Sequence, residues 1–169
     1  MHAAVALVLC DAGPGPEVLF IERAEHDQDP WSGHLGFPGG RVEATDPGSR
    51  AAAERETREE IGLDLAEGEY LGRLDDLLGA HLPVVVSCFV FGLRCRPVLT
   101  LNPTEVADAF WFPLADFLDP RLHGERTIPF QGEEVTYPTI QLLDADRPRL
   151  WGITYRLIAR FLDAMGRSL

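Results

Sequence analysis

Glu56, Glu59 and Glu60 lie in the run Arg55-Glu56-Thr57-Arg58-Glu59-Glu60-Ile61-Gly62-Leu63, at spacing i, i+3 and i+4. An α-helix turns by roughly 100° per residue, so these positions share one face. Like charges placed this way repel by about 0.2–0.5 kcal/mol per pair. Two things can offset that cost. One is solvation, helped by Arg55 and Arg58. The other is a hard divalent cation, which takes carboxylate oxygens and keeps several waters. A cation held like this polarises phosphoryl oxygens and lowers the pKa of a bound water, which is the chemistry of phosphate-ester and anhydride hydrolysis. Taken alone, the cluster is more often a solvated charged helix than a metal site.

The flanking elements favour the metal site. Phe37-Pro38-Gly39-Gly40 reads as a turn into Arg41-Val42-Glu43. Asp46-Pro47 has the chemistry of a helix start, with Asp as cap and Pro at the first helical position. The segment from Gly48 to Glu60 is rich in Ala, Glu and Arg, and Gly62 is a natural stop. Upstream, Ala3 to Leu9 predicts a strand closed by a Gly/Pro turn, and Glu17 to Glu22 its hairpin partner. Downstream, Val84 to Leu93 predicts a buried strand and Ala109 to Phe112 a shorter one stopped by Pro113. Ile128 to Phe130 and Glu134 to Tyr137 flank a hairpin turn. Leu150 to Met165 carries an apolar face at helical spacing, including Ile153, Leu157, Ile158, Phe161 and Leu162. Strands mixed with two good helices predict helices packed on a mixed sheet.

Composition bounds the partners. The chain has 169 residues, suited to one domain spanning 1–169, and a formal net charge of −12. So acidic a surface repels a nucleic-acid backbone, but a bound cation can reverse the sign locally for a small anionic substrate. Cys10, Cys88 and Cys95 form no CxxC pair and predict reduced thiols in a cytoplasmic protein. The start of the chain carries no Lys or Arg before Asp11 and reads as a strand, not a leader; no apolar run suggests a membrane span. Monomer and homodimer both remain open.

Gly40, Asp46, Arg55-Glu56, Glu59-Glu60 and Gly62-Leu63 together resemble the Nudix box, residues 40–63. Two details depart from its pattern. Asp46 stands where the pattern has Glu and is one residue further from Arg55, and Thr57 stands where an aliphatic residue is usual. The resemblance implies an α/β/α sandwich with a mixed sheet, the box forming a loop–helix–loop metal site. It implies Mg²⁺ or Mn²⁺ held by Glu56, Glu59, Glu60 and the backbone of Gly40. One glutamate, with Glu59 and Glu56 the leading choices, would serve as base, and Arg55 would orient a carboxylate. A further acidic residue is expected from a loop after the long central strand: Glu105 first, with Asp108 behind it. The implied reaction is hydrolysis of a diphosphate linkage in a nucleoside diphosphate derivative.

Substrate choice is set outside the box. Gly33 through Gly40, reading Gly-His-Leu-Gly-Phe-Pro-Gly-Gly, and Trp151-Gly152-Ile153-Thr154 resemble the coenzyme A pyrophosphatase branch. That branch cleaves coenzyme A or acyl-coenzyme A to 3′-phospho-AMP and 4′-phosphopantetheine or its acyl form. Asp29 occupies the position where the branch usually has an arginine. Arg23, His26, His34 and Arg41 are the nearby basic residues that could take over a phosphate contact. Trp31 and Phe37 are placed to stack on a base or line the path of the pantetheine arm, or else to pack. The alternatives are another Nudix substrate (ADP-ribose, NADH, a dinucleoside polyphosphate or a nucleoside triphosphate) and a nucleotide-sensing module without catalysis. The intact box glutamates disfavour the last.

Overall fold

A computed structural model describes residues 1–26, 32–79, 83–130 and 132–169. The strands are β1 (His2–Cys10), β2 (Glu17–Arg23), β3 (Leu35–Gly36), β4 (Gly39–Arg41), β5 (Glu69–Leu78), β6 (Val85–Leu93), β7 (Val106–Pro113), β8 (His123–Phe130) and β9 (Glu133–Ile140). The helices are α1 (Ser49–Ile61) and α2 (Gly152–Ala164).

Seven strands form a mixed sheet in the order β3-β2-β1-β6-β5, with β4 also paired to β1 and β7 to β2. The central pair, β1 and β6, is parallel from His2↔Val85 to Cys10↔Leu93. The predicted hairpin partners β1 and β2 are antiparallel, meeting at Leu9↔Val18 and Cys10↔Glu17. β8 and β9 form a separate two-stranded hairpin.

Alternation along the strands sends side chains to two buried layers. Ala4, Ala6, Val8 and Cys10 of β1 join Leu19, Ile21, Phe89 and Phe91 beneath Ala52, Ala53 and Ile61 of α1. Leu7, Val18, Phe20, Val86, Cys88 and Val90 face the other way, with Leu157, Ile158, Phe161 and Leu162 of α2. The α/β/α sandwich expected from the sequence is therefore the fold.

Several boundaries differ from the sequence expectation. Helix α1 starts at Ser49 behind Gly48, not at Asp46-Pro47. Asp46 does not cap it, because Arg55 and the Glu43 amide engage its carboxylate. Gly62 does stop α1, at φ +69° with its N–H donating to the Arg58 carbonyl. Thr57, the residue out of pattern, is fully buried, and its hydroxyl donates to the Ala53 carbonyl one turn back at 2.7 Å. That bond lets a threonine sit where an aliphatic is usual. Strand β5 was not expected. Among the described residues it pairs only with β6, and its register shifts between Tyr70 and Gly72 and between Leu74 and Leu77. These irregularities erase the period-2 signal. No described helix is long and apolar enough to cross a membrane.

Candidate metal and diphosphate site

The site begins with how closely α1 approaches the sheet. Ala52 and Ala53 on α1 meet Ala4 and Ala6 on β1, and small side chains on both surfaces let the helix lie low over β1 and β4. The carboxylates of α1 are thereby pressed onto the Gly39-Gly40 backbone. Both glycines allow this close approach. At Gly39, φ is +148° and an added Cβ would overlap the Ala4 carbonyl. At Gly40, a Cβ would overlap the Glu56 carboxylate itself.

Glu60 is the most deeply placed of the three glutamates, its side chain only 3% exposed. Its Oε2 accepts from the Gly39 amide at 2.8 Å, and its Oε1 lies 3.7 Å from Nη1 of Arg23. Burial pushes its pKa up to about 8; the Gly39 N–H and Arg23 oppose the rise, while Glu56 and Glu105 add to it. Glu56, 16% exposed, is also shifted upward, first by burial, against the pull of Arg55 and with the push of Glu59 and Glu105. Glu59 is 53% exposed and faces solvent.

Arg55 organises this face. Its Nε and Nη2 form a fork on the two oxygens of Asp46 at 2.9 and 3.0 Å, and Nη2 also donates to the Arg41 carbonyl. Its Nη1 donates to Glu56 Oε1 and Glu59 Oε2, each at 3.0 Å. A two-pronged carboxylate contact fixes the guanidinium plane as well as its charge. The Arg55 bonds hold the Asp46 pKa below the usual carboxylate range. Asp46 is shorter than the glutamate of the pattern and one residue further from Arg55. The fork shows that this combination still reaches Arg55.

Glu105 belongs to the same neighbourhood, since its charge acts on both Glu56 and Glu60. Its loop is strapped to the end of β2: the Ala24 amide donates to the Glu105 carbonyl, and His26 Nε2 bonds the Thr104 carbonyl at 2.8 Å. Asp108 lies elsewhere. It pairs with Arg147, which also holds Glu22, the residue opposite Asp108 across β2 and β7.

The four substrate residues expected from the sequence separate. Arg23 stands at the site beside Glu60. Arg41 is exposed, with Nη2 toward the Met1 sulfur at 3.4 Å, and it serves Arg55 through its carbonyl. Phe37 is a core residue, 4% exposed, with its ring 5.2 Å from that of Phe20, so it offers no face to a substrate. Trp31, like Asp29, lies outside the described residues.

Two motifs far apart in sequence meet here. The Trp151 ring packs edge-on against His34 at 5.1 Å. A Cβ at Gly36 would lie 3.8 Å from the Thr154 hydroxyl oxygen. Sequence patterns named both segments but gave no sign of Tyr137 and Arg126, which also touch Trp151 from the β8–β9 hairpin.

Among the described residues, no three acidic, histidine or cysteine side chains are already grouped tightly enough to hold a metal ion. Arg55 instead lies between Glu56 and Glu59. The donor chemistry nevertheless fits a hard dication: carboxylate oxygens from Glu56, Glu59, Glu60 and Glu105, the Gly40 backbone, and no thiol or imidazole.

The family model for the NUDIX domain matches residues 1–130, and the chain belongs to the Nudix family. An uncharacterised protein of Schizosaccharomyces pombe is 42% identical over 112 residues, covering 62% of this chain and 34% of its own. The human mitochondrial coenzyme A diphosphatase NUDT8 is 31% identical over 153 residues, covering 90% of this chain and 64% of its own. The chain thus spans about one to two thirds of the length of these relatives. Among solved structures, the NUDIX domain of Shewanella oneidensis NrtR complexed with ADP ribose superposes with a TM-score of 0.65 at 18% identity, covering 98% of this chain and 88% of that one. At that identity the likeness speaks to the fold alone.

Proposed function

We propose that this protein is a metal-dependent hydrolase of a diphosphate linkage in a nucleoside diphosphate derivative, with coenzyme A or acyl-coenzyme A as substrate. The observation that carries the reading is the pressing of Glu56 and Glu60 onto the Gly39-Gly40 backbone, with Arg55 locked by Asp46 beside them. Glu56, Glu59, Glu60 and the Gly40 carbonyl are the groups that would hold Mg²⁺ or Mn²⁺. When bound, such an ion neutralises phosphoryl charge and makes a bound water more acidic.

The residues of the chain supply the rest. Asp46 fixes Arg55, and Arg55 sets the angle of the Glu56 carboxylate. Glu59 and Glu105 are the solvent-facing carboxylates, and the base that takes the proton of the attacking water is drawn from them. The water oxygen forms a new bond to one phosphorus as that phosphorus's bond to the bridging oxygen breaks, and the bridging oxygen leaves with the other phosphate. Arg23 stands beside Glu60, placed to meet the negative charge of a diphosphate.

Two observations support coenzyme A. The Gly33–Gly40 and Trp151–Thr154 motifs touch in the fold, and one relative is a coenzyme A diphosphatase. The test is hydrolysis of coenzyme A beside ADP-ribose, NADH and diadenosine polyphosphates, with Mg²⁺ and with Mn²⁺, products separated by chromatography. Preferred formation of 3′-phospho-AMP and 4′-phosphopantetheine is expected. Preference for another compound removes the coenzyme A reading and keeps the hydrolase. Cleavage of none of them leaves a nucleotide-binding module.

A further inference from the structure

The β8–β9 hairpin has one face on the core and one turned away from it. Ile140 and Leu150 form an isolated bridge, and both are fully buried in the α2-side core. Neighbouring residues on extended chain point to opposite faces, so Arg149, Trp151 and Thr139 project to the other side, with Tyr137 two residues before Thr139. Residues paired across the hairpin share a face, which adds Gly124 opposite Thr139 and Arg126 opposite Tyr137. The contacts agree. The Trp151 ring lies 5.8 Å from that of Tyr137, and the Arg126 guanidinium sits 4.8 Å over the indole. Arg149 lies on Gly124, where a Cβ would stand 2.6 Å from its Nη1.

Two buried polar atoms on this face have no hydrogen-bond partner among the described residues: the Thr139 hydroxyl and Nε of Arg149. Thr139 is fully buried. Arg149 donates through Nη2 to the Leu122 carbonyl, at 3.4 Å, and among the described residues no carboxylate pairs with it. Buried donors are ordinarily satisfied, and two orphans side by side call for an acceptor from outside the chain.

We propose that this face recognises a nucleoside bearing a ribose phosphate, with Trp151 as the platform for the base and Arg149, the Thr139 hydroxyl and Arg126 as donors to the phosphate. The proposal rests on the coenzyme A reading, and on that reading the ligand is the 3′-phosphoadenosine end of the substrate. Base–indole stacking tolerates any base, so the phosphate contacts give the discrimination. Arg126 is exposed and gives up its place over the ring as the base arrives, exchanging one aromatic contact for another. The face is continuous with the acidic helix. His34 touches Trp151 with its ring and accepts from the Arg23 amide with its carbonyl, and Arg23 reaches Glu60.

The experiment is calorimetric titration of the full chain, without divalent cation, with adenosine 3′,5′-bisphosphate and with AMP. The wild type is expected to bind the bisphosphate about tenfold more tightly than AMP, the scale of a charge-assisted contact. Thr139→Val and Arg149→Gln are expected to reduce bisphosphate affinity to the AMP level and leave AMP binding as it was. Thr139→Val removes a hydroxyl with no hydrogen-bond partner among the described residues, so its melting temperature should hold or rise. It carries the test if Arg149→Gln does not fold. Equal binding of the two ligands by the wild type, or wild-type bisphosphate affinity in Thr139→Val, overturns the site. Coenzyme A cleavage with an unchanged KM in Thr139→Val sinks this site and spares the coenzyme A reading. Bisphosphate binding lost in the variants, in a protein that does not cleave coenzyme A, does the reverse.

Discussion

The two faces of the central sheet are built from different side chains. Beneath α1, Ala4 and Ala6 meet Ala52 and Ala53, and the helix lies close enough for Glu56 to rest on Gly40. Beneath α2, the layer is thick with Phe20, Phe37, Phe112, Phe117 and Phe161. Large apolar side chains contribute about 1.5–3 kcal/mol each on burial, so the α2 face supplies much of the cohesion. The α1 face gives up some of that burial for proximity between carboxylates and backbone. Stability and chemistry are thus divided between opposite sides of the same strands, because successive residues of a strand point opposite ways.

This division predicts different failures on the two sides. The largest effect belongs to Glu60→Gln, which should lower kcat/KM about 10³-fold, equivalent to about 4 kcal/mol. Mg²⁺ should raise the melting temperature of the wild type and leave that of the variant unchanged. Retained activity together with retained Mg²⁺ stabilisation would remove Glu60 from the site. On the other face, Leu157→Ala should cost about 2–5 kcal/mol in denaturant unfolding, with kcat at saturating substrate unchanged. A matching fall in kcat would show that the faces are not separable.

Gly40→Ala comes next. Its single methyl overlaps the Glu56 carboxylate, and a displacement of that size costs about 100-fold in kcat. Its unfolding midpoint should move little; a large stability loss with normal kcat would mean the close approach serves packing alone. The smallest effect is that of Asp46→Asn, read as stability against pH. The Asp46 pKa is lowered in the fold, first by its bond from Arg55, from an ordinary 3.8. Its contribution is therefore complete above that value and is lost as pH falls through the lowered folded value. Wild type should exceed the variant at neutral pH, and the gap should close on acidification below about 4. A gap that persists there would assign the effect to something other than this carboxylate.

The acidic helix was legible in the sequence because its signal is local: Glu56, Glu59 and Glu60 lie within two turns, and Gly62 marks the stop. The core strands were legible because β1 and β6 are apolar on both faces. β5 was not, since an edge strand with shifted register carries Arg73, Asp75 and Asp76 where alternation would be sought. Phe37 was read as open to either role, and only tertiary packing on Phe20 places it in the core. Asp46 looked like a cap because Asp-Pro is a good helix start, but a guanidinium nine residues on competes better for the carboxylate than the helix amides do. The meeting of His34 with Trp151 and Tyr137 joins three distant segments, and nothing local announces it.

The parallel pairing of β1 with β6 bears on how the chain reaches this structure. β1 is the centre of the sheet, yet its longest ladder joins His2 to Val85 and Cys10 to Leu93. Contacts so distant in sequence form late and slow folding, because the intervening loop must close before they return any free energy. During synthesis, the apolar edge of β1 therefore stays open until Leu93 has left the ribosome, exposed to pairing with other chains.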